Sequence, residues 1–133
     1  MIETYLQPLP HAITLSCRAA GARGRPVLIF LHGFPEGAFV WDALLEHFAR
    51  PEHGGYRCVA PDLVGLGRSD KPSRLEDYTV ARHVEWMRAA LFDRLDLRDV
   101  NLVCQDWGGV IGLRLVAEHP GRFASVVAAN TGV

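Results

Sequence analysis

Apolar residues fall into two alternating patterns along the chain. The first is the short unbroken run. Val27-Leu28-Ile29-Phe30-Leu31 follows Arg25-Pro26 and ends at His32-Gly33. A run of this length between turn residues reads as a strand buried on both faces. Tyr56 to Ala60, stopped by Pro61-Asp62, repeats the pattern, as do Val100 to Cys104 and Phe123 to Ala129. The second pattern has helical spacing. Val40/Trp41, Leu44/Leu45 and Phe48 predict a helix over roughly 38–49. Thr79 is placed to cap a helix whose inner face is Val80, Val84, Met87 and Leu91. Gly108 to Glu118 predicts a third helix, closed by His119-Pro120-Gly121. The turn-rich stretch Asp62 to Pro72 reads as a loop in which Asp62 and Asp70 fix turns. His11 to Arg18 is expected as an edge strand or hairpin.

Strands that alternate with helices imply βαβ units, and hence an α/β fold with a doubly wound, mostly parallel sheet in one domain over residues 1–133. Ligands of such sheets sit at the carboxyl ends of the strands. Four segments fall there: His32-Gly33, Pro61-Asp62, Gln105-Asp106-Trp107 and Asn130-Thr131-Gly132.

Composition removes several classes. At 49% hydrophobic and 22% charged residues the chain is too apolar to be disordered. Fourteen Lys+Arg against 15 Asp+Glu give a net charge of -1, so nucleic acid is not an expected partner. The longest apolar run is far too short to span a membrane. Met-Ile-Glu-Thr-Tyr at the start lacks the basic-then-apolar order of a secretory leader. Cys17, Cys58 and Cys104 are odd in number and show no CxxC spacing, which points to buried thiols, a reducing compartment and a cytoplasmic protein. No metal or cofactor is expected. His83 and Glu85 form H-x-E without the paired cysteines of a zinc deaminase. Gly65-Leu-Gly67 is not a dinucleotide fingerprint, and no phosphate loop exists. His119 reads as a helix-end residue, and His11, His47 and His53 have no partner pattern.

The strongest chemical motif is Cys104-Gln105-Asp106-Trp107-Gly108-Gly109. A strand enters, a small residue precedes the turn, and two glycines open a helix. This is the layout of a nucleophile elbow, with Asp106 in the nucleophile position. No serine sits in G-x-S-x-G, which disfavours a serine esterase. A carboxylate is ionised at neutral pH and needs no base to attack saturated carbon, where it forms an alkyl ester. The plain alternative is that Asp106 only caps the helix that follows; the order of strand, small residue, Asp, Trp, Gly and Gly favours the elbow. In His32-Gly33-Phe34-Pro35-Glu36 a second turn ends a strand at the same edge. The backbone N–H groups of Phe34 and Trp107 are therefore candidates for an oxyanion hole. The Trp107 indole N–H, a donor without acceptor capacity, could stabilise a departing halide; the alternative is a packing aromatic beneath the cleft.

These residues resemble the α/β-hydrolase superfamily, in its haloalkane dehalogenase and epoxide hydrolase branch with an Asp nucleophile. From about Pro61 onward the resemblance is to haloalkane dehalogenases, in PDLVGLGRSDKP, EDYTVARHVEWM, LVCQDWGGVIGLRLVAEHP and VVAANTG. The front segment LHGFPEGAFVWDALLEHF is more similar to epoxide hydrolases. The resemblance implies Asp106 as nucleophile, Trp107 as one of two halide donors, and Phe34 and Trp107 as oxyanion-hole amides. It implies small apolar halogenated or epoxide substrates and water, with no cofactor and no membrane partner. Asn130 stands where a related subgroup carries its catalytic acid, and it cannot supply that charge. The family's general-base histidine, acid and cap domain lie beyond this stretch. The expectation is the front half of such an enzyme, able to alkylate once but not to turn over. A third expectation is a non-catalytic fragment whose last strand is an open apolar edge.

Overall fold

The run Val27–Leu31 becomes a strand in the middle of a six-stranded sheet, and its alternation explains the architecture. The computed structural model describes residues 1–132. The strands are β1 (Glu3–Leu9), β2 (Ile13–Ala20), β3 (Val27–Leu31), β4 (Arg57–Pro61), β5 (Val100–Gln105) and β6 (Phe123–Ala129). The helices are α1 (Asp42–Ala49), α2 (Val80–Arg88) and α3 (Trp107–Glu118). The strand order is β1-β2-β4-β3-β5-β6. The β4-β3-β5-β6 portion is parallel, while β2 pairs antiparallel with both β1 and β4.

Successive β3 side chains point to opposite faces. Ile29 and Leu31 join Leu102, Cys104, Ile111 and Met87 in the core beneath α2 and α3. Leu28 and Phe30 join Leu45, Cys58 and Ala60 beneath α1. Both faces are covered, so the strand tolerates no polar position. Arg18 of β2 binds Asp42 of α1 through two 2.6 Å hydrogen bonds and ties the helix to its face of the sheet. Thr79 caps α2 as its position suggests: its hydroxyl accepts the Arg82 N–H at 3.0 Å. Asp62 takes the turn-fixing role expected of it, whereas the Asp70 side chain ties the loop to β2 instead. Asp62 accepts from the Ala38 and Arg68 amides, and Asp70 accepts from the Thr14 amide.

Three features differ from the pattern-based reading. An outer strand, β1, precedes the expected edge, so β2 is interior and Ile13–Ala20 is mostly buried. β1 side chains alternate in burial, with Tyr5, Gln7 and Leu9 turned inward, but a polar Gln7 on the inner face and an exposed Leu6 on the outer leave no apolar alternation in the sequence. Beyond α2, residues Ala89–Arg94 form a π turn that buries Ala89, Ala90, Leu91 and Phe92. The expected α2 face thus continues past the α-helical part. The first helix begins as a 3-10 turn, Ala38–Trp41. At the other edge, every β6 residue after Phe123 is exposed. All three thiols are free and buried. Burial pushes the Cys17 thiol up to about 12. No helix among the described residues is long and apolar enough to cross a membrane.

Candidate active site

Asp106 sits between β5 and α3 with φ 59° and ψ -127°, a backbone that a side-chain-bearing residue rarely adopts. Such a conformation costs on the order of 1–3 kcal/mol, and the surroundings must enforce it. Here they do. The Asp106 N–H donates to the Asn130 carbonyl at 3.2 Å. The Asp106 carbonyl accepts the Thr131 hydroxyl at 2.6 Å and the Gly109 amide at 2.9 Å. The segment after β6, noted in the sequence for its place at the sheet edge and for Asn130, thus clamps the elbow backbone.

Two glycines allow the close approach. A Cβ on Gly108 would lie within 2.6 Å of the His32 carbonyl oxygen and closer still to that of Leu31. A Cβ on Gly33 would lie 2.6 Å from Asp106 Cβ. The helix start and the turn after β3 can touch only because neither residue has a side chain.

The side chain of Asp106 does not cap α3: it makes no capping hydrogen bond. It turns instead to the neighbouring loop, where its Oδ2 accepts the Phe34 N–H at 3.1 Å. The Phe34 amide, and secondarily that of Trp107, hold its carboxyl below the usual carboxylate range. Asp106 is half-buried, while Phe34 and Trp107 are exposed beside it. Phe34 and Trp107 also form one end of an apolar cleft of about 460 Å³, continued by Leu63, Leu75, Tyr78 and Ile111. The Trp107 indole N–H has no hydrogen-bond partner among the described residues. The structure therefore brings together the three residues that the sequence singled out.

Residues 26–132 match the family described as alpha/beta hydrolase fold. The chain belongs to that family. Within this hydrolase fold it is 50% identical over 111 residues to a haloalkane dehalogenase of Psychrobacter cryohalolentis, covering 84% of this chain and 35% of that protein. It is 49% identical over 105 residues to haloalkane dehalogenase 1 of Mycobacterium tuberculosis, covering 79% and 34% respectively. The chain thus spans about a third of the length of these curated relatives. Among solved structures, haloalkane dehalogenase DatA of Agrobacterium tumefaciens superposes with a TM-score of 0.84 at 31% identity, over 98% of this chain and 41% of that one. Epoxide hydrolase VrEH1 of Vigna radiata gives 0.85 at 33% identity, over 96% and 39%.

One element of this hydrolase fold was legible only as half of a turn motif. His32 is fully buried. Its Nε2 accepts the Leu63 N–H at 3.0 Å, which leaves the proton on Nδ1 to donate to the Gly33 carbonyl at 2.7 Å. Both ring nitrogens are engaged, so His32 latches the β3 and β4 loops together and has no lone pair left for a base. Glu36 completes the turn by accepting the Gly33 N–H at 3.3 Å. His119 lies at the far end of α3, roughly 18 Å along the helix at 1.5 Å per residue. His83 borders the cleft, and its Nδ1 is buried without a partner. No cluster of three or more potential metal ligands exists among the described residues.

The latch has a pH signature. Burial holds the His32 imidazole below its ordinary value, so the folded chain keeps it neutral. Below about pH 6.5 the unfolded chain binds a proton that the folded one does not, and stability must fall with acidification. Urea unfolding at about pH 7.5 and 5.5 should show this slope. His32→Gln should flatten it while losing about 2 kcal/mol at the higher pH, because two buried backbone groups lose their partner. Part of the slope should persist through His83, which burial also shifts down. An unchanged slope in the variant contradicts the latch assignment.

Proposed function

We propose that the chain carries the attacking half of a haloalkane-dehalogenase-type hydrolase, with Asp106 as nucleophile. The observation that carries this reading is the uncapped carboxylate at a strained elbow, with one oxygen on the Phe34 amide. The bonded Oδ2 fixes the plane of the group and leaves Oδ1 for attack. Oδ1 adds to a saturated carbon of the substrate as the carbon–halogen bond breaks. The halide leaves with the bonding pair, and the Trp107 indole N–H is the donor available to it. The product is an alkyl ester of Asp106 and free halide. Water added at the ester carbonyl would place negative charge on Oδ2, where the amides of Phe34 and Trp107 would stabilise it. Activating that water needs a general base, and His32 cannot serve. This supports single alkylation, not turnover, by these residues alone. The likeness to two haloalkane dehalogenases at about half identity supports the same reading.

An epoxide substrate is the second reading. It is favoured by the HGFPE turn at 32–36 and by the similarity to the Vigna radiata epoxide hydrolase. The same Oδ1 would open the strained ring, and the alkoxide would then need a proton donor. A non-catalytic fragment is the third. The chain, incubated separately with 1-bromobutane and styrene oxide, distinguishes them by mass. A butyl adduct with one equivalent of bromide supports the dehalogenase reading. A styrene oxide adduct without a butyl one supports the epoxide reading, and no adduct from either leaves the fragment.

A further inference from the structure

At the opposite end of the sheet from Asp106, a second cleft of about 450 Å³ opens where β3 and β4 begin. Six strand residues at about 3.3 Å each put it roughly 20 Å from the elbow. Four arginines line it: Arg23, Arg25, Arg57 and Arg98. The lining holds one carboxylate, Asp96, which is shared with Arg122 outside the cleft. A chain of net charge -1 thus concentrates positive charge in one hollow.

The way the guanidiniums are held matters more than their number. Arg25 donates to the carbonyls of Gly55 at 3.1 Å and Gly54 at 3.4 Å. Arg57 is buried and donates to the Gly21 carbonyl at 2.9 Å, besides pairing with Glu3 at 2.8 Å. Gly21, Gly54 and Gly55 all have positive φ, at 92°, 108° and 60°. The turns that only glycine takes easily aim these carbonyls at the arginines. Neutral carbonyls orient a guanidinium without cancelling its charge. Arg23 has no hydrogen-bonded or ion-paired carboxylate among the described residues, and neither has Arg25.

We propose that this cleft is a binding site for a small phosphate-bearing anion, recognised by Arg23, Arg25, Arg57 and Arg98. Guanidinium forks suit phosphate, whose tetrahedral oxygens accept in several directions at once. A planar carboxylate satisfies one fork and leaves the others idle. The site is separate from Asp106 and stands or falls independently of the reading above.

Calorimetric titration of the chain with pyrophosphate at low salt tests it. Binding that weakens at least about tenfold between about 20 and 200 mM NaCl is expected, as for several charge contacts. Arg23→Gln removes an exposed side chain that holds nothing in place and should weaken binding about fivefold. Arg23→Gln/Arg25→Gln should weaken it by at least about twentyfold. Arg68→Gln, away from the cleft, should leave it unchanged, and circular dichroism should match for all variants. Acetate at equal concentration should not displace pyrophosphate. The proposal is overturned by absence of binding, by equal binding in wild type and Arg23→Gln, or by tighter binding of a short oligonucleotide than of pyrophosphate.

Discussion

Asp106→Asn should abolish alkyl transfer from a primary bromoalkane, with no mass adduct and a rate lowered by about 10⁴-fold or more. The amide keeps the shape of the carboxyl group, and Asn tolerates positive φ better than most residues, so the elbow should survive. What it loses is the anionic oxygen that attacks. The carboxyl oxygen facing the Phe34 amide is retained by the amide carbonyl, so the contact at 3.1 Å can persist. Loss of reaction with an unchanged fold therefore separates nucleophile from scaffold. The wild-type pH profile gives a second handle. Because the Phe34 and Trp107 amides lower the Asp106 pKa, the carboxylate stays ionised well into the acid range. Alkylation measured by intact mass should be flat from about pH 8 down to about pH 4, and should fall only below the depressed pKa. A rate that declines already between pH 7 and about 5 would place the decisive proton on another group.

Gly108→Ala should be strongly destabilising. Its Cβ would enter the space of two backbone carbonyl oxygens, those of Leu31 and His32. Backbone at the end of a central strand cannot rotate away as a side chain could. The strand would have to slide, or α3 lift, and either movement uncovers Ile111 and Leu115, both buried against the sheet. A cost of about 3 kcal/mol or more is expected, which is a large share of a small domain's stability. Gly121→Ala is the control. Nothing lies within 4 Å of its Cβ, and stability should change by no more than about 0.5 kcal/mol. Urea midpoints for the pair decide the point. Similar midpoints would mean that the helix start is looser than its contacts imply.

The sequence was most informative where local pattern and global position coincide. Val27–Leu31 can only be a two-sided strand, and Thr79 followed by Val80, Val84 and Met87 can only begin a buried-face helix. The elbow was legible because its requirement for small residues is written into consecutive positions, Gly108 and Gly109. The Phe34 amide was legible as a candidate because its turn ends a neighbouring strand. Three things were not legible. The β1 edge strand shows no apolar alternation in its sequence, because Gln7 stands on its inner face and Leu6 on its outer one. The latch by His32 depends on Leu63, 31 residues away, and no local spacing encodes that bond. The arginine cleft assembles from four separate chain segments, and a near-zero net charge concealed it.

The placement of β3 between β4 and β5 has a cost in time. Leu28 pairs with Asn101, so the first central strand meets one of its two neighbours only about 70 residues later. At ribosomal rates of about 5–20 residues per second, that is roughly 4–15 seconds. For that interval one of the most apolar segments of the nascent polypeptide has an unsatisfied edge. During synthesis, chaperones that bind short aliphatic stretches should therefore find Val27–Leu31 first.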